Sequence, residues 1–328
     1  MLAHVDATIL AKQEFYDSRS FLQGSSLLAG FAYYTILGSQ GRYSQAAELC
    51  GAVLAETTNE LGEEHPDALV NMHNLSTYLT DQGKFEEAEP LLRKCVAIHI
   101  KVHGKEAVET LQSMDALADL LIMQTKYEEA DKISEEAMEV SVRVLGRDHK
   151  TTIPIIKDRA EVLRHLGNHS EAARMNKENL EISKRVLGIQ HAQTLSIMNN
   201  LALCLHEMEE FGEAETSLRE ALSLKEDRSG PNHPETLISI YSLAVNLYKQ
   251  AKLTEAEELF WRAYPGYESA FGWQHPYSID FLDWMAECLR ALDKHEEAKE
   301  IRRLRRASKR AREKQLLEGR ISGMAVTA

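Results

Sequence analysis

The sequence predicts an all-α array of about seven antiparallel helix pairs, and three observations carry that reading. First, Gly62, Gly104, Gly146, Gly188, Gly230 and Gly272 recur every 42 residues. Second, Ala46, Ala88, Ala130, Ala172, Ala214, Ala256 and Ala298 stand in one register, each preceded by glutamate except at Gln45. Third, the segments between these columns carry helical rather than strand periodicity. A fixed period of this length is the mark of a repeat architecture, in which each unit buries its apolar face only against its neighbours.

Within a unit, the first helix is marked by Leu69, Met72, Leu75 and Leu79, whose steps of three, three and four place them on one face. Leu195, Met198, Leu201 and Leu205 repeat the pattern, whereas Arg159 occupies a leucine position. Asp81-Gln82-Gly83-Lys84 ends the first helix, since glycine favours the left-handed conformation just past a helix end. The second helix starts at Phe85-Glu86-Glu87-Ala88, with glutamates where the helix dipole favours negative charge. Alanine in the shared column lets the two helices approach closely. The expected division is an N-terminal segment over 1–20, read as helical, seven repeats over 21–306, and a basic helical extension with a tail over 307–328; an elongated, metal-independent particle follows from the unbroken period.

The chain has 328 residues, 51 acidic and 38 basic side chains and a formal charge of -13. The nearly apolar run Leu27 to Gly38 is shorter than the roughly 20 residues a membrane helix needs. No basic stretch precedes it, so neither a signal peptide nor a membrane span is expected. Cys50, Cys95, Cys204 and Cys288 lie far apart and form no zinc-type pair, which suits a reducing, cytoplasmic setting. His65, His149, His191, His233 and His275 form a column, but repeats stack about 8 to 10 Å apart, and a zinc ligand must lie about 2 Å from the metal. These histidines are therefore read as turn residues before a helix. His206-Glu207 opens like a zinc-protease motif but lacks its second histidine. No metal or cofactor is expected.

The segments LGEEHPDAL, NNLA, GKFEEAEPLL and GPNHPETL resemble tetratricopeptide repeats of the 42-residue kinesin light chain type, over roughly residues 21–306. The resemblance implies a right-handed superhelical solenoid whose first helices line a concave groove that holds a peptide. Kinesin light chains have a basic groove for tryptophan-acidic peptides, whereas carboxylates outnumber lysine and arginine among the groove positions here. Similar arrays follow the nucleotide-binding modules of some signalling proteins, but no GxxxxGK[ST] phosphate loop occurs in this sequence.

Counting along the first helices places Asn74, Lys157, Arg164, Asn199, Asn200, His206, Tyr241, Tyr248, Trp284 and Arg290 in the groove. Lys157 and Arg164 share a helix face, and with Asn199 and Asn200 they match the donor types of the carboxylate clamps found in some tetratricopeptide proteins. The rival reading pairs Lys157 with Glu161 one helical turn on. Arg159, in an apolar column, needs carboxylates, and Asp115, Asp119 and Asp158 are the candidates.

Nine of the 22 aromatics fall between Phe260 and Trp284. Phe260 and Tyr264 match core columns; Trp261, Tyr267, Trp273 and Tyr277 do not, and Pro265-Gly266 is expected to interrupt the helix beside them. The cluster can be a pocket for a small apolar ligand near Trp284 or core packing. Residues 301–320 carry nine basic against two acidic side chains. They read as a solvated cap for the array; nuclear targeting from this run is left open, nucleic-acid contact is not favoured, and Arg305-Arg306-Ala307-Ser308 resembles a basophilic kinase site. The leading function is a non-enzymatic scaffold or adaptor for a peptide or partner helix. The alternative is a small-molecule binder or cofactor-independent enzyme, for proton transfer or cyclisation, using Asp283, Glu287 or His206 as acid or base.

Overall fold

The computed structural model describes the backbone of residues 25–326 and the side-chain surroundings of residues 29–314. The expected segment 1–20 lies outside the described residues. Fourteen α-helices make up the described chain: α1 (Ser25–Ser39), α2 (Tyr43–Leu61), α3 (Pro66–Asp81), α4 (Phe85–His103), α5 (Val108–Met123), α6 (Tyr127–Leu145), α7 (Thr152–His165), α8 (His169–Val186), α9 (Ala192–Glu207), α10 (Phe211–Ser229), α11 (Pro234–Lys249), α12 (Leu253–Ala270), α13 (Pro276–Ala291) and α14 (His295–Val326). Each helix packs on the next, giving seven antiparallel pairs in chain order. Odd-numbered helices from α3 onward also touch one another, so they form the inner wall, and the even-numbered helices lie outside.

The repeat columns explain this packing. The seven alanines are 0–2% exposed, sitting where the two helices of a pair cross. His65, His191, His233 and His275 cap α3, α9, α11 and α13, each accepting at Nδ1 from the backbone amide two residues on at 3.1–3.3 Å. His149 accepts from the Thr151 amide in the same way at 3.2 Å. A side-chain acceptor there satisfies an amide that has no partner within the helix.

A second column is buried although its residues vary: Thr57, His99, Ser141, Ser183, Lys225 and Tyr267 are all 0–6% exposed. All but Ser141, which donates to the Met138 carbonyl of its own helix, meet the inner helix of the next pair. Thr57 accepts from Asn71 at 3.2 Å, His99 meets Ser113 at 2.8 Å, Lys225 donates to Ser239 at 2.9 Å, and Tyr267 stacks on Phe281 with centroids 4.1 Å apart. All four pairs are 14 residues apart, so one geometric slot is filled by chemically matched partners.

The expected interruption at Pro265-Gly266 does not occur, because α12 runs unbroken from Leu253 to Ala270. Tight packing is the role of Gly266: a Cβ there would lie 2.6 Å from Leu237 Cδ2. Tyr267 is fully buried and belongs to the core. The expected division at 306/307 falls inside the continuous helix α14.

The superhelix also touches itself. The turn after α1 seats on the start of α11, where a Cβ at Gly41 would lie 2.6 Å from Pro234 Cδ and His233 Nε2 donates to the Ser39 carbonyl at 3.3 Å. One repeat later the contact recurs, with a Cβ at Gly83 3.0 Å from Pro276 Cδ. Arg312 of α14 donates to the Gly83 carbonyl at 3.4 Å and lies over the Phe85 ring, 5.5 Å from its centroid. Adjacent superhelical turns therefore form a seam, and the array is less extended than its period alone suggests.

Candidate binding groove

The inner wall collects charge from successive odd-numbered helices. Asp81 at the end of α3, Asp115 and Asp119 on α5, and Lys157, Asp158 and Glu161 on α7 interact around one region. Lys157 is ion-paired with Asp158, and both side chains are largely buried. Asn200 of α9 donates to Glu161 Oε2 at 2.9 Å. Opposite stands Tyr277 of α13, whose hydroxyl donates to Met123 Sδ at 3.2 Å and thereby bridges the first turn of α13 and the end of α5.

Five carboxyls sharing one region with a single ammonium cannot all ionise freely when protein rather than water surrounds them. Burial, with Glu235 contributing, raises Asp81 to about 7. Burial and the neighbouring Asp158 charge raise Asp119 to about 7 and push Asp115 up. Burial works against the Lys157 ammonium, yet Asp158 and Glu161 more than reverse this and hold it protonated. Glu161 is held below its ordinary value in spite of burial, through Lys157, Arg164 and the Asn200 bond. The region is thus acidic on balance, with part of its charge held back by burial and by proximity.

The other groove positions are distributed along the wall. Asn74 donates to the Tyr34 hydroxyl at 3.2 Å. Arg164 donates to His165 Nε2 at 2.8 Å. Asn199 accepts from Ser239 at 3.4 Å. Lys157, Arg164 and Asn200 are joined through Glu161, while Asn199 is bonded toward α11. Arg159 does not face Asp115, Asp119 or Asp158. It pairs instead with Asp131 and, at 3.6 Å, with Glu135, and donates to the Asp131 carbonyl at 3.2 Å. An apolar-column position points between helices toward outer helix α6, away from the groove.

Farther along, His206 donates from Nδ1 to Asn246 Oδ1 at 3.0 Å, and Tyr241 donates to Asp280. Tyr248 and Trp284 meet edge to face at 5.6 Å, with Lys249 Nζ 5.2 Å from the Trp284 centroid. Asp283 pairs with Arg305 at 2.7 Å, and Glu287 with Arg302 at 2.7 Å and with Arg290. The two carboxylates named for acid–base work are thus ion-paired with helix α14, and Trp284 packs on Tyr248. A cavity of about 700 Å³ opens elsewhere, between α2, α3 and α4, beside Ala47, Gly51, Leu75 and Leu79. Among the described residues no group of three or more histidine, cysteine or acidic side chains could hold a metal ion, and no helix is long and apolar enough to cross a membrane.

Sequence reasoning passed over Lys225, which is 4% exposed and donates to Ser239 and the Glu235 carbonyl. Burial lowers it to about 8. Its place in the buried column of Thr57, His99, Ser141 and Ser183 was the available signal.

Tetratricopeptide-repeat models match residues 35–101, 72–141, 109–178, 152–227 and 236–277. The chain belongs to the tetratricopeptide repeat family. Its solenoid is similar to a point variant of a Podosopora anserina protein of kinesin light chain type with nearly identical repeats, at 22% identity over 63% of this chain and 99% of that one, with a TM-score of 0.50. It is similar to BtubC (BKLC) from P. vanneervenii at 17% identity, covering 70% and 90%, with a TM-score of 0.50. A Rap protein solved with Competence and Sporulation Factor matches at 13% identity over 89% of this chain and all of the other, with a TM-score of 0.57. Among curated proteins, none matches the chain.

Proposed function

We propose that the chain is a protein-interaction scaffold whose inner wall receives a cationic peptide or partner helix. The observation that carries this is the acidic region itself: Asp115, Asp119, Asp158 and Glu161 converge around Lys157, already paired with Asp158, and Asp81 adjoins Asp119. An incoming ammonium or guanidinium would offset the burial and the neighbouring negative charge that raise Asp81, Asp115 and Asp119, so these carboxyls would ionise on binding. Charge-assisted bonds of this kind are the stronger class of hydrogen bond. The Rap protein's complex with Competence and Sporulation Factor is a precedent for a solenoid that holds a factor.

The test is fluorescence anisotropy with two labelled peptides of equal length, one rich in arginine and lysine and one acidic with a free C-terminal carboxylate. The basic peptide should bind, more weakly in high salt, and Asp119→Asn with Glu161→Gln should weaken it about tenfold or more, as expected for loss of charge-assisted bonds. Preference for the acidic peptide, abolished by Lys157→Ala with Arg164→Ala, would replace this reading with the carboxylate clamp.

A further inference from the structure

The seam is built into the sequence, because its glycines are kept where they are needed. Thr125, Glu209, Ala251 and Asp293 occupy the same turn position in other repeats, with φ of 60–62°. Side chains are therefore tolerated in that left-handed conformation. Gly41 and Gly83 have similar positive φ, but there a Cβ would meet Pro234 or Pro276 at 2.6–3.0 Å. Gly167, whose turn faces open space, shows that the same backbone exists without the contact.

The seam is also lightly held. Its hydrogen bonds from His233 and Arg312 are 3.3–3.4 Å long, at the weak end of the range. Buried apolar clusters join neighbouring repeats, and none among the described residues joins the first two repeats to the last two. Parting the seam would expose turns and leave each core intact, the condition for a low-energy opening. Tyr277 directly follows Pro276 and crosses to Met123, so the closed seam holds a bridge over the acidic wall.

From these features we infer that the seam is a latch: the Gly41–Pro234 and Gly83–Pro276 contacts, with Arg312 as clasp, hold the superhelical turn shut, and their release admits a partner to the inner wall. The latch deepens the scaffold reading and rests on it only for what passes through.

The test uses the full chain, whose four native cysteines are buried. Spin labels on Gln40→Cys and Asn232→Cys report the seam distance; His73 of α3 stands one and two repeats before Asp115 and Lys157 in the same column, so alkylation of His73→Cys by a bulky maleimide reports access to the wall. Gly41→Asn with Gly83→Asn keeps the left-handed turns, since asparagine tolerates them, but blocks the contact. It should lengthen the distance distribution and speed alkylation about tenfold or more, as for a shifted opening equilibrium. Arg312→Ala alone should move both in the same direction by less, without a new side chain in any turn, and Gly167→Asn should move neither. An unchanged distance, or a longer distance with unchanged alkylation, overturns the latch. If opening speeds alkylation while the arginine- and lysine-rich peptide binds neither form, the latch stands and the scaffold reading fails.

Discussion

Glu89 and Glu215 stand three repeats apart and hold the same set of donors. Glu89 accepts from Arg93, Gln124 and Lys126; Glu215 accepts from Arg219, Gln250 and Lys252. In both clusters the arginine lies one helical turn along the same outer helix, and the glutamine and lysine come from the turn leading into the next outer helix. Arg93 and Arg219 continue to Glu129 and Glu255 of that helix. The outer helices of repeats two and three, and of five and six, are therefore tied by matching ionic knots.

These knots predict acid sensitivity. Burial alone would raise both carboxyls, but the lysine, arginine and glutamine bonds reverse it and hold each at about 2. A carboxyl held below its unfolded value stabilises the fold above that value, and the contribution fades as pH falls from about 4.5 toward 2. Glu89→Gln or Glu215→Gln should cost about 1–3 kcal/mol at pH 7. Denaturant melts at several pH values should show the deficit narrowing below pH 4.5; a deficit independent of pH would mean that packing alone is lost.

Arg159 makes an asymmetric prediction. Asp131→Asn leaves a buried guanidinium without its main counter-charge and should cost about 3 kcal/mol, the low end for a broken buried pair, since Ser134 and the Asp131 carbonyl still accept. Arg159→Leu restores the apolar column and leaves Asp131, which is one-third exposed, to water. It should be neutral or stabilising. Equal losses in thermal melts of the two variants would contradict this ordering.

Lys225 should show the opposite pH sign. Its lowered value of about 8 means that the unfolded chain binds the proton more tightly, so burying the charge costs stability below pH 8 and that cost disappears as pH rises toward 10.5. Lys225→Met should stabilise by about 1–3 kcal/mol at pH 7, an advantage that shrinks in melts at pH 9 to 10. A variant less stable than the parent at pH 7 would show that the Ser239 bond outweighs desolvation.

Gly266 and Gly212 separate packing from helix propensity. Gly212→Ala meets nothing within 4 Å and should gain a few tenths to about 1 kcal/mol. Gly266→Ala presses on Leu237, itself 1% exposed, and should cost about 1–3 kcal/mol of overpacking. Matched denaturation curves read both, and a gain at Gly266 would show that α11 can shift away.

The architecture was legible because neighbour contacts repeat with the sequence: the alanine crossing, the glycine-ended turns and the histidine caps each recur at 42 residues. Arg159 was legible as a buried charge but not in its partners, since the relevant direction is from an inner helix outward and Asp131 lies 28 residues back. Pro265 misled because a proline signal is local, whereas α12 is held on both sides by neighbouring helices. Lys225 was hidden by its chemistry, a residue type ordinarily exposed in a column that is ordinarily small. The seam and the Tyr277–Met123 bridge depend on twist accumulated over several repeats, which no short spacing encodes.

That accumulated twist makes the number of repeats a measured quantity. Gly41 and Pro234, like Gly83 and Pro276, are 193 residues apart, about four and a half units. An open spiral can gain or lose a unit with little effect on the units that remain. Here, removing one whole repeat between the partners would slide Pro276 into the place of Pro234 opposite Gly41, strand Gly83 without its proline, and carry Arg312 one unit away from the carbonyl it holds. The molecule thus contains its own ruler: the two glycine–proline contacts and the arginine clasp stay in register only while the count of units between them is unchanged.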